Sequence, residues 1–236
     1  MIDVPSDDHR TALRVAVATS DGAALVALLE SGLPPDALQS IGDGLAVAVQ
    51  QRVPGAGELA EKCVLALRER EWEGDEELAV QLEAVLGIAP TPLLRRLPVD
   101  LEMLSIVLEG DPLSGDGRLD LRDGEVWSQP AIEYAQEMGE DDDADDSERW
   151  LWIHNQGSRA GYRDMVDFVG TVAHPGRADR LEIALQGRGA FRRFKDVLAR
   201  WPGELERWFA FSEERQRGRA RAWLAEEGYT VAPRRP

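Results

Sequence analysis

Arg118-Leu119-Asp120-Leu121-Arg122-Asp123-Gly124-Glu125-Val126-Trp127 decides the fold. Residues 118–122 alternate charged and apolar side chains, the period of a strand with one buried face. Asp123-Gly124 follows, a pair suited to a type I′ turn because that turn needs positive φ at both central positions. The stretch therefore predicts a hairpin. Downstream, Arg149-Trp150-Leu151-Trp152-Ile153-His154 predicts another strand, and upstream Leu104-Ser105-Ile106-Val107-Leu108 tips the run 101–108 toward strand as well. The sequence on either side has helical spacing. The expected class is α+β: an N-terminal region of helical hairpins, then a small antiparallel sheet packed with C-terminal helices.

In the N-terminal third, the apolar runs Thr11–Ala18 and Ala23–Glu30 are separated by Ser20-Asp21-Gly22, and Gly32 with Pro34-Pro35 ends the second. Glycine just past a helix and proline shortly after are stop signals with a mechanism, a left-handed cap and a missing N–H. Leu45–Val49 falls 32 residues after Leu13–Val17, with a partner helix from Glu58 to Arg70 and a third, isolated helix from Asp75 to Leu86. This pattern loosely resembles ankyrin repeats over residues 11–70, by its period and by Thr11-Ala12-Leu13-Arg14 and Leu28-Leu29-Glu30-Ser31-Gly32. Cys63, the one cysteine, lies on an apolar helical face and reads as a small buried hydrophobe. Pro90 and Pro92 resist helix and sheet alike. The expected division is a helical repeat-like domain over 1–88, a proline-rich linker over 89–99 and an α+β domain over 100–236.

Charge separates the chain into unequal parts. Of 44 acids and 27 bases, residues 1–156 hold 33 acids and 11 bases, whereas 157–236 hold 11 acids and 16 bases. The net charge of −17 argues against non-specific nucleic-acid binding by the whole chain, since phosphates would be repelled. Only Lys62 and Lys195 are lysines, so arginine abundance is itself weak evidence of selection. No apolar run reaches membrane-spanning length and the acidic start does not resemble a signal peptide, which leaves a cytoplasmic protein as the expectation. Eight acids lie between Glu137 and Glu148, where repulsion favours an extended loop.

The C-terminal third reads as helices. Ser158 is placed as an N-cap ahead of 160–169, with Tyr162, Met165, Val166 and Val169 on one face. A second helix covers 178–186. After Gly187-Arg188-Gly189 comes a third, 190–199, with Phe191, Phe194, Val197 and Leu198 on its buried face. Arg188, Arg192 and Lys195 fall at i, i+4 and i+7 on another. The final helix carries a core stripe of Leu205, Trp208, Phe209, Ser212, Ala220, Trp223 and Leu224, with Arg215, Arg217, Arg219 and Arg221 outside.

The residues 119–126, Ser158-Arg159 with Tyr162, Met165, Asp167 and Phe168, the block Gly187–Lys195, and Trp208, Phe211, Arg215, Arg219, Ala222, Trp223 and Leu224 resemble an uncharacterised bacterial protein family, number 158 of its series, over residues 101–231. The resemblance implies an α+β domain and no agreed activity.

Little in the sequence suggests catalysis. His154 and His174 lack metal-ligand spacing. Asp111, Asp116, Asp120 and Asp123 fit no register of a calcium loop. Gly157–Gly161 is no nucleophile elbow, and no phosphate loop is present. No catalytic residue, metal or cofactor is assigned. Binding is the better reading. The helix start at Ser158 attracts anions. If the helix beginning near Gly189 packs beside it, Arg159, Arg163, Arg188, Arg192, Arg193 and Lys195 converge into an anion-binding surface. The plain structural alternative makes Arg192–Asp196 and Glu213–Arg217 surface pairs and the aromatics core. The expected function is a non-enzymatic protein-interaction or regulatory protein, with a protein partner on the N-terminal helices. The alternatives are a nucleic-acid-associated protein or an enzyme acting on a phosphorylated ligand. A third is an acidic nucleic-acid mimic built from the 137–148 run beside Trp127, Trp150 and Trp152.

Overall fold

The computed structural model describes residues 7–110, 115–139 and 146–232. The chain forms two compact units, one made of the residues up to Leu101 together with those from Arg217 onward, the other of Glu102–Gln216.

The first unit contains α1 (Asp7–Ala18), α2 (Gly22–Leu28), α3 (Leu38–Gln50), α4 (Ala56–Arg70) and α5 (Asp75–Leu86). Asp21 begins α2 by accepting the Ala24 N–H at 2.9 Å. Leu25, Leu29, Ile41, Leu45, Cys63, Leu67, Leu78 and Leu82 form the buried centre. Helix α5, isolated in the repeat pattern, packs on α3 and α4. A two-stranded parallel sheet completes the unit: β1 (Arg95–Leu97) lies against β5 (Tyr229–Val231), with Arg95 opposite Tyr229 and Leu97 opposite Val231.

That pairing corrects the expected division. The 89–99 stretch contains a strand, and the main-chain bonds of β5 fix the C-terminal end of the chain to the N-terminal unit. Helix α11 (Pro202–Glu226) contributes its first part to one unit and its last part, from Arg217, to the other.

Within the first unit, α11 brings charge into the interior. Arg221, only 3% exposed, donates from Nε to Gln39 Oε1 at 2.8 Å, from one terminal nitrogen to Gln81 Oε1 at 3.2 Å, and from the other to Asp43 Oδ1 at 2.7 Å. Arg217 meets the other Asp43 oxygen at 3.0 Å. Gln39 passes the network on by donating to Asp75 Oδ1 at 2.8 Å, and Asp75 also accepts from Arg70 at 2.7 Å and from the Trp72 N–H at 2.9 Å. Burial by itself would raise the Asp43 carboxyl, but the Arg221 and Arg217 guanidinium groups outweigh it and hold the group below the usual carboxylate range. Arg221 therefore lies inside, not on the outer face that the spacing predicted. The stripe of α11 that is buried runs through Trp208, Phe211, Glu214, Gly218, Arg221, Ala222 and Leu224, whereas Phe209 is exposed.

The second unit contains α6 (Leu101–Glu109), β2 (Gly117–Asp120), β3 (Val126–Ser128), α7 (Gln129–Met138), β4 (Trp150–Ile153), α8 (Arg159–Gly170), α9 (Pro175–Leu185), α10 (Ala190–Leu198) and the first part of α11. The run 101–108 is a helix rather than a strand. Leu101, Leu104, Val107 and Leu108 are buried while Glu102, Met103 and Ile106 are exposed, a helical division of the residues that alternation cannot produce. The strand order is β3-β2-β4, all antiparallel.

The hairpin forms, but its connection is longer than a two-residue turn. Asp120 N–H donates to Glu125 O and Gly124 N–H donates to Asp120 O, each at 2.9 Å, so residues 121–124 form the loop. Gly124 has positive φ (80°), and Asp123 instead accepts the Glu125 N–H through its side chain. Nor does β2 alternate: all four of its residues are buried. Arg118 packs over Trp150 at 3.8 Å and near Trp127 at 5.1 Å, and Arg149 lies over the Trp150 ring at 4.3 Å while bonding Asp120 at 2.8 Å. Of the acidic run 137–148, residues 140–145 lie outside the described residues, as does Asp111.

Candidate functional site

Helices α8, α9 and α10 fold around an aromatic centre. Phe168 is 5.4 Å from Trp208, 5.6 Å from Phe211 and 6.3 Å from Phe194, each ring edge to face. Arg215 anchors α11 to α8 by ion pairs with Asp164 at 3.0 Å and Asp167 at 2.7 Å. This packing fixes the first turns of α8 and α10 as neighbours. A Cβ built on Gly161 would stand 3.4 Å from the Phe191 ring, and the Tyr162 hydroxyl donates to Leu185 O at 3.3 Å.

The expected cationic residues separate into two groups on this frame. Arg193 is structural. Its Nε donates to Ala184 O at 3.2 Å, and its terminal nitrogens donate to the carbonyls of Gln186, Gly187 and Arg188. The cation thus gathers the free carbonyls at the C-terminus of α9, where the helix dipole is negative. Gly187 (φ 75°) and Gly189 (φ 77°) take the left-handed conformation that lets the connection wrap around it. Much of the Gly187–Lys195 block is therefore explained by one buttressed helix connection.

Arg159, Arg163, Arg188, Arg192 and Lys195 are exposed. Arg192 faces Asp196 at 3.8 Å with both side chains largely in solvent, a pair of small energy. The other four have no ion-pair partner among the described residues, in contrast to Arg177, Arg207 and Arg215 of the same unit. Ser158 holds the N-cap position of α8, but its side chain makes no capping bond, contrary to the expectation. Phe191 is likewise corrected: it is 38% exposed, not core, and it accompanies Tyr162 at 40% and Val166 at 47%. Phe194, by contrast, is fully buried. The surface is therefore amphipathic, with unpaired guanidinium and ammonium groups interleaved with aromatic and aliphatic side chains.

Elsewhere, His154 Nδ1 lies 3.0 Å from Asp116 Oδ2. The Asn155 N–H and then His154 hold the Asp116 carboxyl below its ordinary range. Among the described residues no three His, Cys, Asp or Glu side chains come together as a metal site, and no helix is long and apolar enough to cross a membrane.

The α+β class of the chain is the one that the sequence resemblance implied. The model of the uncharacterised protein family UPF0158 matches residues 116–235, and the chain belongs to that family. A UPF0158 protein of Pseudomonas aeruginosa is 30% identical over 144 residues, covering 60% of this chain and 90% of that protein. No solved structure matches. The family match begins at β2 and runs through β5, so it includes the end of α11 and the strand that belong to the first unit.

Proposed function

We propose that the protein is a non-enzymatic interaction or regulatory protein that binds an acidic protein partner through the exposed surface of α8 and α10. The observation that carries this reading is the group of unpaired cations, Arg159, Arg163, Arg188 and Lys195, around exposed Tyr162, Val166 and Phe191. Arginine, tyrosine and phenylalanine are the residues enriched at interface centres. Arginine forks donate to carboxylates in two-point fashion, and unpaired charge steers an oppositely charged partner. The helices α1–α5 offer less: their large exposed apolar side chains, Val15 and Leu65, stand singly on different helices. The exposed aromatics and cations would also suit single-stranded nucleic acid; the net charge of −17 opposes both kinds of polyanion alike, so the comparison below decides between them.

Fluorescence anisotropy of the full chain with labelled poly-L-glutamate, against a labelled single-stranded DNA, tests the reading at low salt. The expected result is poly-glutamate binding that the Arg188→Glu/Arg192→Glu/Lys195→Glu variant weakens about tenfold or more, as three reversed surface charges should. Tighter binding of the DNA, lost in the same variant, would give the site to nucleic acid instead.

A further inference from the structure

The first unit encloses a pocket of about 530 Å³, within the size range of small-molecule sites. Its apolar walls are Val80, Ala84 and Val85 from one face of α5, with Leu94 and the Tyr229 ring. Two cations line the same space. Arg96 is exposed and has no ion-pair partner among the described residues. Arg221 is buried, and its three hydrogen bonds use Nε and one N–H of each terminal nitrogen. A guanidinium has five N–H donors, so one on each terminal nitrogen remains without an acceptor among the described residues.

We propose that this pocket binds a small carboxylate with an apolar body. The carboxylate accepts the two remaining N–H groups of Arg221 in two-point fashion, with Arg96 adding charge. The hydrocarbon part lies between Val80, Ala84 and Leu94. Glu76 and Glu77 also line the pocket and set the limit on ligand charge, because their carboxylates repel a dianionic phosphate more than a single carboxylate. Nothing in this assignment depends on the α8–α10 surface.

Isothermal titration of the full chain at neutral pH with 3-phenylpropionate, and with its neutral amide of the same shape, tests it. The carboxylate should bind at least tenfold more tightly than the amide. Arg96→Ala, at an exposed position, should weaken the carboxylate about fivefold and leave the amide unchanged. Ala84→Trp, checked by circular dichroism for an intact fold, should abolish binding of both by filling the space. Equal binding of acid and amide would overturn the assignment, as would absence of saturable binding of the acid at millimolar concentration to the folded wild-type chain.

Discussion

Gly218→Ala should destabilise the protein by about 3 kcal/mol or more, read as a fall in the urea midpoint of the full chain. The expectation runs against helix propensity. Alanine in a helix interior is favoured over glycine by up to ~1 kcal/mol. At this position, however, an added Cβ would stand 2.1 Å from Glu73 O. On the facing loop, a Cβ on Gly74, whose φ is 84°, would stand 2.0 Å from Gly218 O. Both obstacles are backbone atoms, so no side chain can rotate aside. The loop itself is held: Asp75 binds Arg70 and the Trp72 N–H, and Arg70 lies over the Trp72 ring at 4.3 Å. Helix α11 and the start of α5 must therefore separate to admit a methyl group, with loss of the packing and hydrogen bonds between them. A neutral or stabilising Gly218→Ala would mean that the two backbones do not approach so closely.

Asp43→Ala should cost about 3–5 kcal/mol, because it removes the carboxylate that buried Arg221 binds and that Arg217 also meets. The effect carries a pH signature. Asp43 is held below its ordinary pKa in the folded state, so the unfolded chain takes up its proton first as the pH falls. The stabilisation is complete above the unfolded value of about 4 and is lost as the pH drops through the lower folded value. Urea midpoints measured between pH 7 and pH 3 should decline more steeply for the wild type than for Asp43→Ala. Parallel curves would show that Asp43 has no such linkage.

These two sites show where the sequence was legible and where it was not. Helices α1–α5 and α8–α10 follow from apolar spacing and from stop signals such as Gly32 with Pro34-Pro35, because those signals are local. The hairpin follows from alternation and Asp-Gly, though its loop is longer than those two residues suggest. Run 101–108 is compatible with either period until its neighbours determine which side chains are covered. Strands β1 and β5 are three residues each and pair across 134 positions, Arg95 with Tyr229, so neither has a local signature. Arg221 reads as a surface residue for the same reason: its partner Asp43 is 178 positions away. A signal did exist there. Gly218 stands inside an otherwise helical run, where glycine costs up to ~1 kcal/mol against alanine, so its presence there points to a packing reason.

Of the candidate anion surface, Arg159, Arg163, Arg188, Arg192 and Lys195 are legible from helical spacing. The role of Arg193 is not, because carbonyl groups at a helix end are invisible in a list of side chains. The exposure of Phe191 is hidden too, since its i+3 spacing to Phe194 suggests a shared face that the packing of α8 divides.

The α8–α10 surface is tested most directly by mapping amide chemical-shift changes in the isotope-labelled full chain during titration with poly-L-glutamate. The largest changes should fall in residues 159–166 and 188–195 and vanish in the Arg188→Glu/Arg192→Glu/Lys195→Glu variant. Changes confined to α1–α5, or unaltered in that variant, would contradict a binding role for this surface.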